Sequence, residues 1–278
     1  MARATANTQR PLLSVPVLGR LINSDPLKSR MSAFRKRLLD LARGSLRGDH
    51  GRTWKCFPLE SKHIGKPIND PKTFHRLLCG EIRQAQSRVQ IVSLYVGPGV
   101  HPIKYDREIE FLQAWGDIKE SVDVRILLDR HRALRPVPVP DSDDFTTSAE
   151  ACRMNITNDS KIYLLSVLEG SYLDYLPNPL NEIAGVFHVK LYVIDDQVFL
   201  SGANLSQEYF SDRHDRYLWL KGGASGLVDM YVDLIGALCE FGSSEYVSPE
   251  DVRKRNPFSS KNRAQLFDKM VEILTTDE

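Results

Sequence analysis

The stretch that decides the fold runs from Phe187 to Leu220 and reads FHVKLYVIDDQVFLSGANLSQEYFSDRHDRYLWL. Its first part, HVKLYVID, alternates as a β-strand does, so the side chains of His188 and Lys190 are predicted to project from one face. Asp195 follows at a turn, and the apolar QVFLS is predicted to run back as the second strand of a hairpin. That strand ends at the GAN triplet, which returns Asn204 to the same end of the hairpin as His188.

These residue types suit phosphoryl chemistry without a metal. A neutral imidazole can attack phosphorus and form a covalent phospho-histidine, which makes His188 the predicted nucleophile. Lys190 supplies a fixed positive charge for a phosphate oxygen, and Asn204 adds a neutral donor. A nucleophilic histidine also needs an acceptor on its other ring nitrogen, and Asp215 is predicted to be that acceptor. Asp195 completes the predicted catalytic set, but with a structural role. Because side chains alternate along a strand, it points away from His188 and Lys190, and it is predicted to bond backbone groups of its own turn.

A His-x-Lys pair on a strand is also typical of a half-exposed polar face. The GAN triplet and the later acid favour the site over that interpretation. A zinc site is a poor alternative interpretation of these residues, because a cationic lysine cannot ligate a metal and the sequence has no accompanying CxxC or HxxxH spacing. No metal and no cofactor are therefore predicted.

The rest of the chain predicts an α/β fold, a mixed β-sheet flanked by helices. Apolar periodicity and turn residues place the elements, with errors of about two to four residues at their ends. The predicted helices are 71–87, 105–119, 146–155 and 224–242, and the predicted strands outside the hairpin are 88–96, 122–130, 161–168 and 215–220. The proline-rich segment RPVPVPDSDD cannot continue a central strand and is predicted to be a surface loop.

Composition is that of a globular protein of 278 residues, with 42% hydrophobic and 26% charged residues and a net charge of only +1. The charge is uneven, because residues 1–48 carry ten Lys or Arg and two Asp. This cationic, amphipathic segment is predicted to be a mitochondrial targeting leader, with a lipid-bound helix or a simple docking helix as alternatives. No apolar run reaches the roughly 18 residues that span a bilayer, so we expect peripheral membrane contact. Nothing indicates nucleic-acid binding.

HVKLYVIDD followed by SGANLSQEYFSDRHDRY resembles the first HKD half of the phospholipase D superfamily, in particular its phosphatidylglycerophosphate synthase branch. The likeness extends upstream to FHRLLCGEIRQAQSRVQIVSLYVGPG and VDVRILLD, and covers roughly residues 57–221. It implies a phospholipase D-like lobe with His188, Lys190 and Asp195 as the HKD residues. It also implies that the turn at Gly97 and Gly99 brings N–H groups near a phosphate, although such a sequence is often no more than a turn.

The resemblance implies a reaction. CDP-diacylglycerol would lose CMP to leave a phosphatidyl-histidine, and the primary hydroxyl of glycerol 3-phosphate would then take the phosphatidyl group. The product, phosphatidylglycerophosphate, leads to cardiolipin, and the expected location is the matrix side of the inner mitochondrial membrane. Two alternatives stay open: a homodimeric phosphodiesterase of the same superfamily, and a non-catalytic half-protein that binds lipid.

The chain departs from the superfamily in one respect: it has no second HxKxxxxD. The segment SSKNRAQLFDKMVEIL resembles NDPKTFHRLLCGEIRQAQ, which opens the first half. The expected domains are therefore a leader (1–48), a catalytic lobe (49–245) and the start of a second lobe (246–278). Either the chain is a truncated form, or two copies pair to supply the missing acid, and a lone lobe is expected to be inactive or nearly so.

Overall fold

The structure is a computed structural model. It describes residues 52–156, 161–167, 180, 182, 185–222, 226–241, 243–245 and 260–277. The predicted leader, residues 1–48, lies outside the described residues, as do residues 246–259 at the start of the predicted second lobe.

The chain divides into two units. The smaller comprises residues 1–55 with 275–278, and the larger comprises residues 56–274. In the described part of the smaller unit, β1 (Arg52–Trp54) pairs antiparallel with β11 (Thr275–Asp277). Every residue of the predicted site belongs to the larger unit.

A mixed sheet forms the centre of the larger unit. Its strands in the described residues are β2 (Arg88–Ser93), β3 (Asp123–Asp129), β6 (Lys161–Leu165), β7 (Leu191–Ile194), β8 (Gln197–Ser201), β9 (Tyr217–Leu220) and β10 (Ser243–Glu245). They lie in the order β10-β6-β3-β2-β7-β8-β9. The predicted mixed sheet is confirmed.

The direction of the strands changes at β2. This strand runs parallel to β3, which runs parallel to β6, whereas β7, β8 and β9 form an antiparallel meander on the other side of β2. In the register of the ladders, Ile91 of β2 pairs with Ile126 of β3 on one side and with Tyr192 of β7 on the other. The carboxyl ends of β2, β3, β6 and β8 therefore share one edge of the sheet with the first residues of β7 and β9. We call it the site edge.

Helices cover both faces of the sheet. They are α1 (Pro71–Gln84), α2 (Asp106–Gly116), α3 (Arg130–Ala133), α4 (Ser148–Asn155), α5 (Gln207–Ser211), α6 (Leu227–Phe241) and α7 (Ser260–Leu274). The start of α1 illustrates why these segments are helical. Asp70 accepts the backbone N–H of Thr73 at 2.8 Å, and Pro71 occupies the first helical position, where no N–H is needed.

Two hydrophobic clusters hold the three layers together. Because successive strand residues point to opposite faces, Ile91 and Val92 enter different clusters. The first cluster joins the sheet to α1, α2, α4 and α5 and includes Phe74, Leu78, Phe111, Cys152, Tyr192 and Phe210. The second joins the sheet to α6 and includes Leu127, Phe187, Leu191, Val193, Ile235 and Leu238. The predicted flanking of the sheet by helices is confirmed.

Some local predictions were wrong. The segment RPVPVPDSDD is not an irregular loop throughout, because β4 (Val137–Pro138) pairs antiparallel with β5 (Phe145–Thr146). This short ladder is separate from the main sheet, so Pro138 interrupts no central strand. The short helices α3 and α5 were not predicted, since four or five residues are too few to establish a helical period. Among the described residues no helix combines the length and apolarity required to cross a membrane.

Candidate active site

His188 and Lys190 meet at the site edge, immediately before β7. The predicted strand was too long at this end, because β7 begins at Leu191 and both residues lie in irregular backbone. The two side chains nevertheless come together, with Lys190 Nζ 2.9 Å from Nδ1 and 2.8 Å from Nε2 of His188. The imidazole is exposed and the ammonium is buried, with 7% of Lys190 accessible. An exposed imidazole therefore lies against a largely buried ammonium.

The environment shifts the pKa of both groups downward. Partial burial lowers the pKa of His188, and the neighbouring Lys190 ammonium lowers it further. Burial also lowers the pKa of Lys190 to about 8, although the charge of Asp215 opposes this change. Near neutral pH the imidazole is thus neutral and can attack, while most Lys190 side chains keep their positive charge.

Asn204 lies in the loop that follows β8, and its side chain is 7% exposed. The loop is fixed on both sides of it. The hydroxyl of Tyr192 donates to the carbonyl oxygen of Ala203 at 2.9 Å, and Gly97 N–H donates to the carbonyl oxygen of Leu205 at 2.7 Å. Asn204 Oδ1 is buried and has no hydrogen-bond partner among the described residues. Because an unpaired buried oxygen costs stability, Asn204 Oδ1 is available to accept a hydrogen bond from a ligand or from water.

Asp215 acts on Lys190 through its charge and, within the described part of the chain, does not bond His188. Its carboxylate accepts N–H groups from Gly202 at 3.1 Å and from Arg216 at 2.6 Å. Both ring nitrogens of His188 instead contact Lys190, and the described residues show no hydrogen bond from His188 to Asp215. The predicted contact is therefore absent, because the carboxylate is held by the backbone of its own turn and of the turn after β8.

Gly202 allows this approach of Asp215. A Cβ at position 202 would lie 2.8 Å from each carboxylate oxygen of Asp215, which is too close for a carbon and an oxygen that are not bonded. The absence of a side chain at position 202 therefore lets the acid reach the site edge.

Asp195 lies at the opposite end of β7, where the backbone has a positive φ of 50°. Its carboxylate accepts the N–H groups of Gln86, Ser87 and Arg88 and the hydroxyl of Ser87, at 2.7 to 3.1 Å. Its bonding partners are thus the loop before β2 and the first residue of β2, not its own turn as predicted. Burial raises the pKa of Asp195, but these hydrogen bonds together outweigh burial and leave the pKa lowered. Asp195, the acid of the HxKxxxxD pattern, thus holds the hairpin against β2 through these hydrogen bonds.

The N–H groups of Gly97 and Gly99 form hydrogen bonds within the protein. Gly97 N–H donates to Leu205, and Gly99 N–H donates to Glu108 Oε2 at 3.0 Å. Gly99 has a φ of 62°, which explains a glycine at that position. Both donors are therefore used within the protein, and the substrate-binding role of these two residues stays a prediction.

Glu108 is a residue that the sequence analysis missed. It is 5% exposed, and its carboxylate also accepts the N–H of Gln207 at 2.9 Å. Burial raises the pKa of Glu108, while the N–H groups of Gln207 and Gly99 oppose that rise. The carboxylate thereby ties the Gly97–Gly99 turn to the start of α5, next to the Asn204 loop. An acid in the first turn of α2 is so common that the sequence carries no signal for this role.

Among the described residues, no group of three or more His, Cys, Asp or Glu side chains is arranged to hold a metal ion. The site edge instead carries an imidazole, an ammonium, an amide and a carboxylate. These groups can attack phosphorus, hold a phosphate oxygen and balance the charge of the ammonium.

Comparison with known proteins identifies what the chain resembles. It is 31% identical over 195 residues to the mitochondrial CDP-diacylglycerol–glycerol-3-phosphate 3-phosphatidyltransferase of Gallus gallus, a match that covers 66% of this chain and 32% of the relative. The corresponding enzyme of Saccharomyces cerevisiae is 34% identical over 167 residues, covering 60% of this chain and 31% of the relative. This chain resembles one part of these transferases. It spans about a third of the length of the curated relatives it matches. The resemblance predicted from the sequence is confirmed at this level.

The human relative matches to the same extent, at 30% identity over 190 residues, with 66% of this chain and 32% of the relative covered. No protein-family model matches the chain. Among solved structures, the phosphatidylserine synthase of Haemophilus influenzae Rd KW20 aligns with a TM-score of 0.53 at 20% identity, covering 84% of this chain and 47% of that chain. At this identity the similarity establishes a shared α/β fold.

Proposed function

We propose that this chain supplies His188 as the nucleophile of a phosphatidyltransferase that moves a phosphatidyl group from CDP-diacylglycerol to glycerol 3-phosphate. The observation that carries the proposal is the contact of 2.8–2.9 Å between the exposed imidazole of His188 and the buried ammonium of Lys190. Relatives with this activity in their names match about two thirds of the chain, which supports the choice of substrates.

In the first step, one nitrogen of His188 attacks the phosphorus of the phosphatidyl group. A P–N bond forms, the P–O bond to the CMP phosphate breaks, and CMP leaves. In the second step, the primary hydroxyl of glycerol 3-phosphate gives its proton to the group that protonated the CMP leaving group, and attacks the same phosphorus. The P–N bond then breaks, phosphatidylglycerophosphate is released, and His188 is regenerated.

The neighbouring groups have separate tasks in this proposal. Lys190 binds a non-bridging phosphate oxygen, where negative charge increases in the transition state. The NH₂ group of Asn204 donates to a second phosphate oxygen, or its Oδ1 accepts a hydrogen bond from the incoming hydroxyl. Asp215 stabilises the charge of Lys190, consistent with its effect in raising the pKa of that ammonium. Asp195 maintains the hairpin and has no direct part in the chemistry.

A proton donor for the leaving group is the missing component. We propose that a second HxK motif supplies it, contributed by another lobe or by a second copy of this chain. The proposed organisation is a targeting leader over 1–48, a catalytic lobe over 49–245 and the start of a second lobe over 246–278. The proposed location is the matrix side of the inner mitochondrial membrane, with peripheral membrane contact; relatives whose names include "mitochondrial" and the basic composition of residues 1–48 support it.

The test uses vesicles that contain CDP-diacylglycerol, with labelled glycerol 3-phosphate as the acceptor. We expect CMP release that depends on the acceptor, and a phosphatidyl adduct on His188 after rapid quenching and peptide mass spectrometry. His188→Ala should remove both, while the circular dichroism spectrum stays unchanged because the side chain is exposed. Without an acceptor, the proposed mechanism allows at most one CMP per active site, so continued release of CMP together with phosphatidic acid would instead indicate a phosphodiesterase. An adduct on another residue would contradict the assignment of the nucleophile.

A further inference from the structure

A buried carboxylate that the proposed chemistry does not use lies next to the nucleophile. Asp129 is the last residue of β3, and its side chain is 0% exposed. One oxygen accepts the N–H of Arg132 at 3.0 Å, and the other accepts the N–H of Phe187 at 2.7 Å. Phe187 immediately precedes His188. A single side chain therefore links the end of a central parallel strand to the segment that carries the nucleophile.

That segment has little else to fix its backbone. Residues 185–190 are irregular, and β7 begins only at Leu191. Within the described part of the chain, the bond to Asp129 is the one hydrogen bond made by a backbone N–H of residues 185–189. The side chain of Phe187 adds a second attachment, since it is buried in the cluster that packs against α6. The position of Phe187, and with it the direction in which His188 leaves the backbone, depends on these two attachments.

We propose that Asp129 is a positioning residue that orients His188 toward Lys190 by holding the N–H of Phe187. The proposal rests on the proposed function for its catalytic meaning, but its geometric content stands without turnover. A carboxylate suits the task because two N–H groups approach two different oxygens. An asparagine would present an NH₂ group to one of those donors and lose that bond. Burial raises the pKa of Asp129, and the N–H groups of Phe187 and Arg132 oppose the rise.

The simpler role to exclude is that of a helix cap. Asp129 is the N-cap of α3, and its bond to Arg132 alone would explain an aspartate there. Thr147 provides a matched control. It is also buried, it caps α4 by accepting the N–H of Glu150 at 3.2 Å, and the described contacts include none between it and residues 187–190. Thr147→Val removes a helix cap without affecting Phe187. Asp129→Asn keeps one acceptor oxygen, which suits the N-cap of α3, and turns its NH₂ group toward the N–H of Phe187.

The experiment measures the imidazole of His188 by ¹⁵N NMR across a pH titration of the full chain. In Asp129→Asn we expect the pKa of His188 to move from its lowered value toward the ordinary value of about 6.5, because the ring is no longer held against the ammonium. Thr147→Val should leave the His188 titration unchanged despite a similar loss of thermal stability. If Asp129→Asn lowers the melting temperature and leaves the His188 titration as in wild type, Asp129 is a cap only and the proposal fails.

A second measurement needs no variant, and so it decides the case if Asp129→Asn does not fold. Hydrogen exchange in the wild-type chain should show the Phe187 amide exchanging at least about 100-fold more slowly than an unprotected amide, because its N–H is buried in a hydrogen bond. Exchange at the unprotected rate would overturn the proposal. Neither readout depends on phosphatidyl transfer, so a failure of the proposed reaction would be distinguishable from a failure of this inference.

Discussion

The two ends of β7 carry charged groups that differ in how completely they are hydrogen-bonded. At the site edge, Lys190 is buried with its pKa lowered to about 8, and among the described residues its ammonium contacts an imidazole rather than a carboxylate. At the far end, the carboxylate of Asp195 accepts three backbone N–H groups and one hydroxyl, and its pKa is lowered. Among the described residues, the ammonium of Lys190 has no hydrogen-bonded carboxylate, whereas the carboxylate of Asp195 has four hydrogen-bond donors.

This difference separates two tasks within the pattern HxKxxxxD. A buried cation without a hydrogen-bonded carboxylate is costly, and an anionic ligand such as a phosphate would relieve that cost. A carboxylate with four donors gains nothing from a ligand and contributes to stability instead. The His-x-Lys part of the pattern is therefore expected to affect the rate, and the Asp part is expected to affect the fold.

The largest effect of a variant that tests this comparison is expected for Lys190→Met. Loss of one preorganised cation should lower the rate of CMP release by roughly 10²–10³-fold. The same variant should raise the pKa of His188, because the ammonium lowers it in the wild type. The NMR titration of His188 checks the second expectation even where turnover is slow. A lowered pKa that persists in Lys190→Met would contradict the role assigned to the ammonium.

A smaller effect is expected from pH. The rate should rise with pH as His188 loses its proton, with a midpoint below the ordinary histidine pKa of about 6.5. It should fall again as Lys190 loses its charge above a second midpoint at pH about 8. Well above that midpoint the rate should decline about tenfold per pH unit. Lys190→Arg, whose guanidinium stays charged, serves as the control and should show no alkaline decline. A decline at the same pH in Lys190→Arg would assign it to another group.

Asp215→Asn should have a more modest effect, a decrease of about tenfold in rate, because it removes the charge that favours protonated Lys190. The alkaline decline should move to lower pH, since Asp215 raises the pKa of Lys190 in the wild type. Binding to vesicles that contain CDP-diacylglycerol should be retained. A rate profile across pH measures the shift, and an unchanged midpoint would show that Asp215 acts otherwise.

The smallest effect on rate is expected for Asp195→Asn, which should mainly lower stability. Loss of hydrogen bonds to a charged acceptor costs about 1.5–3 kcal/mol. For a domain of this size each kcal/mol corresponds to a decrease of about 2–4 °C in the melting temperature, which scanning calorimetry measures. Rates compared well below the melting temperature should fall less than in Lys190→Met and Asp215→Asn. A decrease as large as that of Lys190→Met would remove the distinction between the two ends of β7.

The order of elements and the composition of the site edge could be read from the sequence. Strand alternation and the GAN triplet indicated that His188, Lys190 and Asn204 share one end of a hairpin, and the apolar runs indicated β2, β3 and β6. The signal is strong because buried strands and their turns use characteristic residues over short distances.

The hydrogen-bond partners could not be read in this way. Asp195 bonds residues 86–88, Gly99 bonds Glu108, and Asp129 bonds Phe187, and each pair comes from separate elements of the fold. A carboxylate accepts any N–H that the tertiary structure places within reach, so its local sequence does not specify the partner. The same reason explains the failure of the predicted bond between Asp215 and His188.

The pairing of β2 with β7 also has a kinetic consequence. Val89 lies opposite Ile194, so the central ladder joins segments about a hundred residues apart, and the chain must close a long loop before that contact forms. During synthesis the amino-terminal elements emerge well before β7 does. His188 and Lys190 therefore reach their places late in folding, and a nascent chain that stops short of β7 exposes one side of β2 to other molecules.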